Sequence, residues 1–217
     1  MHAQSRASPP ALIYCCVVSV TAIVPLKALD HSKQRLAGRL SATERRALMR
    51  ALFLHVLETC VAADAIDRTL AIVGDDTGLE LARRASVPAV RDLGEDLNSA
   101  LRQATAQVPP ESTSLVVVAD LPQITSDDLD DIVAAGQHTP CVLVAPTHDG
   151  GTGALLRRPA AVIAPAFGVG SAAAHLDAAR DAGIRAGVIM RPGLAYDVDR
   201  PADLDRYAGL VVGGGDP

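Results

Sequence analysis

Short runs of consecutive apolar residues alternate along the chain with segments in which apolar residues recur at helical spacing. Runs without polar positions are typical of strands covered on both faces, because an exposed face would make every second residue polar. We predict such strands at Val17–Val24, Thr69–Val73, Leu115–Ala119, Cys141–Ala145 and Gly187–Met190. The alternation predicts an α/β fold with a mainly parallel central sheet.

Polar motifs mark the starts of helices between these strands. In a capping box, the first and fourth side chains each accept a hydrogen bond from the other residue's backbone N–H. The chain contains two such motifs, Ser41-x-x-Glu44 and Thr125-x-x-Asp128. We also expect Ser171 and Asp199 to cap two later helices.

The length of 217 residues favours one domain. We expect residues 12–210 to form it, with flexible tails at 1–11 and 211–217. The apolar stretch Ala11–Leu26 is rich in β-branched residues and short for a spanning helix, which predicts a strand and no membrane partner. The cysteines lack C-x-x-C spacing, which favours the reduced cytoplasm over a disulfide framework; they are Cys15, Cys16, Cys60 and Cys141.

Composition excludes two classes of protein. Hydrophobic residues make up 49% of the chain and charged residues 21%, which is not the composition of a disordered protein. Aromatic residues make up only 2%, and the formal net charge is −5. A nucleic-acid binder needs a basic surface and usually aromatic faces, so no nucleic-acid partner is expected. A small polyanion remains possible where cations gather locally.

Such cations follow the first predicted strand, at Lys27, Lys33 and Arg35. A loop at the carboxyl end of a strand that presents cations suits a nucleoside triphosphate, although a solvated basic loop is the simpler interpretation. The loop is not a P-loop, since no G-x-x-x-x-G-K-[ST] motif occurs.

Three aspartates are candidates for a magnesium site. Asp120 follows an apolar strand, and Asp197 and Asp199 are two positions apart, which puts both carboxylates on one side of an extended segment. The alternatives are a turn at Asp120 and a helix cap at Asp199.

Two glycine-rich segments expose backbone N–H groups that can hold an anion. One contains Thr152, and the other contains Gly168, Gly170 and Ser171. A hairpin turn and a plain helix cap are the alternatives. The six histidines show no metal-ligand spacing and are interpreted as surface or core residues, and no activated nucleophile stands out.

In this order the motifs resemble the CofC/FbiD family of guanylyltransferases, which act in the biosynthesis of coenzyme F-420. The likeness covers about residues 19–208. It rests on six segments: Pro25-x-Lys27-x-Leu29-x-x-x-Lys33-x-Arg35-Leu36, Leu97-Asn98-x-Ala100-Leu101, Ala119-Asp120-Leu121-Pro122, Asp149-Gly150-Gly151-Thr152-x-Ala154-Leu155, Phe167-Gly168-x-Gly170-Ser171 and Asp197-x-Asp199-x-Pro201-x-Asp203-Leu204.

The resemblance implies a single three-layer α/β/α domain with the glycosyltransferase-A-like nucleotidyltransferase fold. It implies transfer of GMP from GTP, with Mg²⁺ as cofactor, to the phosphate of phosphoenolpyruvate, 2-phospho-L-lactate or 3-phospho-D-glycerate. Phosphoenolpyruvate is favoured because the composition resembles that of bacterial members. A downstream transferase of the same pathway would take the product, and a homo-oligomer is possible.

The resemblance also assigns roles to residues. The metal ligands would be Asp120, Asp197 and Asp199; the triphosphate would meet Lys27, Lys33 and Arg35; the acceptor would meet Thr152, Ser171, Gly168 and Gly170; and the guanine base would meet Asn98. The chain departs from the family pattern at Gly153, where many members have Asn, and at Asp96, where many have Gly.

Two other functions remain open. One is a related nucleotidyltransferase, similar to molybdopterin guanylyltransferases or sugar-phosphate cytidylyltransferases, although those usually carry a G-x-G-x-R loop after the first strand. The other is a non-catalytic nucleotide-binding module, which would not need three aspartates in one cleft.

Overall fold

A seven-stranded sheet forms the centre of the protein in a computed structural model that describes residues 18–29 and 33–206. The strands run in the order β3-β2-β1-β4-β6-β5-β7. Every neighbouring pair is parallel except those of β6, which is antiparallel to β4 and β5. Their bounds are Val20–Leu26 (β1), Arg68–Val73 (β2), Ala89–Arg91 (β3), Thr113–Val117 (β4), Cys141–Pro146 (β5), Thr152–Arg158 (β6) and Arg185–Val188 (β7).

Helices cover both faces of the sheet. Their bounds are Ala42–Ala62 (α1), Asp76–Arg84 (α2), Leu97–Thr105 (α3), Ser126–Ala135 (α4), Ser171–Asp181 (α5) and Pro201–Arg206 (α6). Apolar side chains of α1, α2 and α4 pack on one face, and those of α3 and α5 on the other. Neighbouring β1 residues such as Ala22 and Ile23 therefore belong to different cores. The expected three-layer α/β/α architecture is confirmed.

Most of the predicted elements are present. Strands overlap all five predicted runs, and both capping boxes form, at Ser41 with Glu44 and at Thr125 with Asp128. The apolar residues at helical spacing in α1 are buried; they are Leu48, Leu52, Val56 and Cys60. No helix within the described residues is long and apolar enough to cross a membrane.

The strand pattern missed β3 and β6. The second is the more instructive, because β6 lies between β4 and β5 and is buried although it ends in two arginines. The Arg157 guanidinium donates to Ser114, Thr105 and the carbonyl of Ile163. Such acceptors make a buried arginine tolerable, but Ser114 and Thr105 are distant in the chain and leave no periodic signal.

The two additional caps expected at helix starts are wrong. Gly170 occupies the capping position of α5, and the hydroxyl of Ser171 contacts Thr152 instead. Before α6, the carboxylate of Asp203 accepts hydrogen bonds from the N–H groups of Asp199 and Arg200. The side chains of Ser171 and Asp199 do not cap these helices and instead line the cleft described below.

Some expectations fall outside the described residues: the start of the first strand at Val17, the thiols of Cys15 and Cys16, and both tails. Cys60 and Cys141 are buried free thiols.

The order of β2, β1 and β4 places a topological switch point beside β1, since β1 connects to β2 while β4 is reached from β3. Open α/β sheets bind ligands at the carboxyl edge of such a point.

Candidate active site

A cleft of about 350 Å³ opens at this edge. The predicted site residues that line it are Lys27, Lys33, Asp120, Thr152, Gly168, Ser171, Asp197 and Asp199. Because β6 is antiparallel to its neighbours, its first residue lies at the edge where β4 ends, which brings Thr152 to the same cleft as Asp120. The other predicted residues, Arg35, Asn98 and Gly170, adjoin this lining in sequence or through side-chain contacts.

At one end of the cleft, Lys33 lies among the aspartates. Its ammonium is 2.5 Å from Oδ2 of Asp120 and 3.7 Å from Oδ1 of Asp199, and the side chain is only 7% exposed. Burial acts to lower the pKa of Lys33, but the attraction of Asp120, Asp199 and Asp197 outweighs it and raises that pKa. Lys33 therefore stays protonated and supplies the cluster with a fixed positive charge.

The chain reaches this position through unusual backbone. Lys33 has φ 54° and ψ 40°, a left-handed conformation that L-residues adopt rarely. A short 3-10 turn, Gln34–Leu36, follows and directs the Arg35 guanidinium to the carboxylate of Asp199. Lys27 is more exposed and donates to the carbonyl of Glu95 at 3.3 Å. The predicted basic loop is thus divided between a buried lysine and two more accessible cations.

Asp197 and Asp199 are held beside Asp120 by the main chain, because the N–H of Val198 donates to the carbonyl of Asp120 at 3.1 Å. Burial and the neighbouring charge of Asp120 raise the pKa of Asp197 to about 6, although the charge of Lys33 opposes the rise. The two positive charges of Lys33 and Arg35 therefore balance only part of the negative charge of the three aspartates.

The described residues contain no group of three or more His, Cys, Asp or Glu side chains placed to hold a metal ion. The aspartates surround the ammonium of Lys33 instead of an empty centre. Carboxylate oxygens are the ligands that Mg²⁺ prefers, so the chemistry of the three aspartates suits this ion. In the structure the ammonium of Lys33 occupies the oxygens of Asp120 and Asp199.

The other end of the cleft carries hydroxyl groups. Thr152 begins β6 and Ser171 begins α5, and their oxygens are 3.0 Å apart. The ring of His175 lies behind them, with Nδ1 3.2 Å from Oγ1 of Thr152. All three residues are buried, so these groups are fixed by the fold and are not loop side chains in solvent.

Glycines shape the wall next to this pair. Gly168 has φ 143° and Gly170 has φ 68°, conformations in which a side chain would be strained. They turn the chain into α5, whose first residue is Ser171. The N-terminus of α5 therefore lies beside the two hydroxyls, and the N–H groups of Ser171 and Ala172 donate to the carbonyls of Gly168 and Gly150.

Asn98 fastens the same wall to α3. Its amide donates to the carbonyl of Phe167 at 3.0 Å, and its oxygen accepts from the N–H of Phe167 at 2.8 Å. Both functional groups of this side chain are engaged by the backbone. The predicted contact with a guanine base stays a prediction.

The structure accounts for both departures from the family pattern. Asp96 caps α3, since its carboxylate accepts from the N–H of Ser99 at 2.8 Å. Gly153 lies against the segment that leads to Asp197, and a Cβ atom there would be 2.1 Å from the carbonyl oxygen of Leu194. In this chain the position has no room for an asparagine.

Sequence reasoning missed two parts of the cleft. His175 was interpreted as an ordinary surface or core residue, because its partner Thr152 is far away in the chain. Asp149 lines the cleft, and its hydrogen bonds from Thr147 and Gly151 lower its pKa. The contact of His175 is tertiary, and a single sequence gives no signal for it. The hydrogen bonds of Asp149 are local, and the residue lies in the segment Asp149-Gly150-Gly151-Thr152, where no role was predicted for it.

Comparison with solved structures agrees with this fold. A putative nucleotide-diphospho-sugar transferase from Desulfovibrio desulfuricans G20 superposes with a TM-score of 0.69 at 14% identity, covering 90% of this chain and 98% of that one. A 4-diphosphocytidyl-2C-methyl-D-erythritol synthase gives a TM-score of 0.65 at 15% identity, covering 89% and 98%. At such low identity the likeness concerns the fold, and it confirms the expected nucleotidyltransferase architecture.

Relatives in sequence are more informative. The phosphoenolpyruvate guanylyltransferase of Sphaerobacter thermophilus is 40% identical over 194 residues, which is 88% of this chain and 94% of that protein. The 2-phospho-L-lactate guanylyltransferase of Methanothermobacter thermautotrophicus is 33% identical over 185 residues, or 84% and 81%. The model of the family described as "Guanylyl transferase CofC like" matches residues 20–215. The chain therefore belongs to the CofC-like guanylyl transferase family, whose members are nucleotidyltransferases.

Proposed function

We propose that this chain transfers GMP from GTP to the phosphate of phosphoenolpyruvate, releasing pyrophosphate and forming enolpyruvoyl-2-diphospho-5′-guanosine. The observation that carries the proposal is the division of one cleft into two ends. Lys33 and three aspartates lie at one end, and the neutral Thr152–Ser171 pair lies at the other. Such a cleft suits a triphosphate and a small acid side by side.

The reaction requires little proton transfer. An oxygen of the acceptor phosphate is already anionic, so it can attack the α-phosphorus of GTP without a general base. The bond from that phosphorus to the bridging oxygen breaks, and pyrophosphate leaves with the electron pair. The difficulty is to bring two polyanions together in line.

The chain's own residues would meet this difficulty by charge and position. Lys27, Lys33 and Arg35 would bind the β- and γ-phosphates and neutralise charge on the leaving group. Thr152 and Ser171, with the N-terminus of α5, would orient the acceptor through its carboxylate. Fixing both reactants in one cleft is the entropic part of catalysis.

A magnesium ion would be held by Asp120, Asp197 and Asp199. When bound, it would supply positive charge and orientation to the phosphate groups. Lys33 occupies this place in the structure, and it would then be free to reach the triphosphate.

The sequence relatives favour phosphoenolpyruvate as the acceptor. The bacterial relatives from Sphaerobacter, Roseiflexus and Rubrobacter are named phosphoenolpyruvate guanylyltransferases at 35–40% identity. The relative named for 2-phospho-L-lactate is an archaeal protein at 33%. Both acids carry a carboxylate beside the carbon that bears the phosphate, so the Thr152–Ser171 pair suits either.

This activity would place the protein in the biosynthesis of coenzyme F-420, in the cytoplasm where GTP is available. A transferase of the same pathway would then accept the activated phosphoenolpyruvate unit. Binding between the two proteins is not needed for this.

Pyrophosphate release tests the proposal. GTP is incubated with phosphoenolpyruvate, 2-phospho-L-lactate or 3-phospho-D-glycerate, each with and without Mg²⁺. Release with phosphoenolpyruvate only in the presence of Mg²⁺ is the expected result, and mass spectrometry identifies the product. Release with CTP instead of GTP would favour a cytidylyltransferase. No release with any acceptor would contradict the proposal and favour a non-catalytic nucleotide-binding module.

A further inference from the structure

His175 is buried directly behind Thr152 and Ser171, the hydroxyl pair of the cleft. Its exposure is 0%, and its ring lies edge-on to Phe167 at a centroid distance of 4.9 Å. Each ring nitrogen has a hydrogen-bond partner: Nε2 faces the N–H of Ala166 at 2.9 Å, and Nδ1 faces Oγ1 of Thr152 at 3.2 Å. The ring cannot turn over without exchanging these partners.

The backbone decides which nitrogen carries the proton. A backbone N–H can only donate, so Nε2 of His175 must accept from Ala166 and has no proton. Burial and the charge of Arg157 lower the pKa of His175 to about 4, which keeps the ring neutral near pH 7. A neutral imidazole has one N–H, which is therefore at Nδ1 and donates to Thr152.

Counting protons shows what this tautomer does. Thr152 and Ser171 have two hydroxyl protons between them, and the hydrogen bond that joins the two oxygens uses one. Because His175 donates to Thr152, the second proton is left over for a ligand. With the other tautomer, Thr152 would donate to Nδ1, and the pair would have no proton left for the cleft.

We propose that His175 is a positioning residue that makes the Thr152–Ser171 pair a hydrogen-bond donor to the cleft and so selects a ligand group with acceptors only. A carboxylate is such a group, since its ionised oxygens accept and do not donate. The identification of this ligand as the acceptor's carboxylate rests on the proposed function. The tautomer rests on His175 and Ala166, and the donor surplus rests on these two residues with Thr152 and Ser171.

Two substitutions separate the two nitrogens. His175→Asn places an amide group near the position of Nδ1 and can still donate to Thr152. His175→Gln places its amide near the position of Nε2, where it can accept from Ala166 but leaves Thr152 without its donor. A merely structural role for the ring would make the larger side chain the better replacement, whereas the donor role requires the opposite order.

Steady-state kinetics of both variants provide the test. We expect His175→Gln to raise the KM for the acceptor about ten-fold and His175→Asn to change it less than three-fold, with the KM for GTP unchanged in both. Equal acceptor KM values in the two variants, or parallel changes in both substrates, would overturn the proposal. An unaltered protein that releases no pyrophosphate with any acceptor would instead refute the proposed function.

The tautomer can also be observed without activity. A long-range ¹H–¹⁵N correlation spectrum of the unaltered protein should show His175 with a protonated Nδ1 and an unprotonated Nε2. A proton on Nε2 would overturn the proposal even if both variants failed to fold.

Discussion

The ammonium of Lys33 lies 2.5 Å from a carboxylate oxygen of Asp120. A side chain of the protein thus takes the place of a cation among the aspartates proposed to bind magnesium. A metal ion and Lys33 must then compete for the same oxygens.

Removing the competing ammonium should strengthen metal binding. For Lys33→Met, we expect Mn²⁺ to bind about ten-fold more tightly without nucleotide, while turnover falls, because a buried positive charge no longer opposes the ion. Titration followed by electron paramagnetic resonance measures the affinity. Lys27→Met is the matched control, since it removes a cleft lysine that contacts the carbonyl of Glu95 and, within the described residues, no carboxylate. Equal Mn²⁺ affinities in the two variants would refute the competition.

Asp120→Asn should lower kcat at saturating Mg²⁺ by about 100-fold or more, because the amide is a weaker metal ligand and no longer offsets Lys33. Pyrophosphate release measures the loss. The control is Asp127→Asn, which neutralises an exposed carboxylate in the first turn of α4. Turnover of Asp120→Asn within a few-fold of the parent would contradict a metal-binding role.

Ser171→Ala should raise the KM for the acceptor about five- to ten-fold, since the hydroxyl that fixes the orientation of the Thr152 hydroxyl at 3.0 Å is lost. The KM for GTP should not change. Ser112→Ala removes a hydroxyl that donates to the carbonyl of Pro109, away from the cleft lining, and serves as the control. An acceptor KM equal to that of the control would remove Ser171 from the site.

The stability of the fold should depend on pH through His175. Its pKa is lowered to about 4 in the folded state, whereas an unfolded histidine titrates near 6.5. Between these values the unfolded state binds more protons, so the free energy of unfolding should fall as the pH decreases from about 6.5 to 4, by at most about 1.4 kcal/mol per pH unit.

Urea unfolding of the parent and of His175→Gln over this pH range measures the contribution. The substituted protein lacks the titrating ring, so its stability should fall less over the same range. Identical pH dependence in both proteins would show that the pKa of His175 is not depressed.

Gly153 should be intolerant of any side chain. A Cβ atom would lie 2.1 Å from the carbonyl oxygen of Leu194, which is backbone and cannot rotate away. We expect Gly153→Ala to lower the free energy of unfolding by about 2–4 kcal/mol. Gly38→Ala adds the same methyl group where no atom lies within 4 Å and is the control. Equal urea midpoints for Gly153→Ala and Gly38→Ala would contradict this expectation, because they would show that the backbone at Leu194 shifts with little loss of stability.

The architecture was largely predictable because its signals are local. Continuous apolar runs gave β1, β2, β4, β5 and part of β7, and the capping boxes gave the starts of α1 and α4. The strand β6 was not predictable, since the burial of Arg157 depends on oxygens from three other segments. That strand changes the sheet from fully parallel to mixed.

The candidate site likewise has a part that the sequence could predict and a part that it could not. The order of the motifs predicted that Asp120, Asp197 and Thr152 lie in one cleft, and they do, because strand ends meet at one edge of the sheet. The place of Lys33 between carboxylates and the contact of His175 with Thr152 depend on side-chain positions across the fold. Periodicity and spacing contain no information on such contacts.

The contact between Arg35 and Asp199 joins residues separated by 164 positions. A ribosome must therefore synthesise nearly all of the described chain before both halves of the charged end exist. Closing so long a loop is entropically costly and comes late when folding begins with local contacts. The charged end of the cleft would therefore remain incomplete in a nascent chain until Asp199 had emerged.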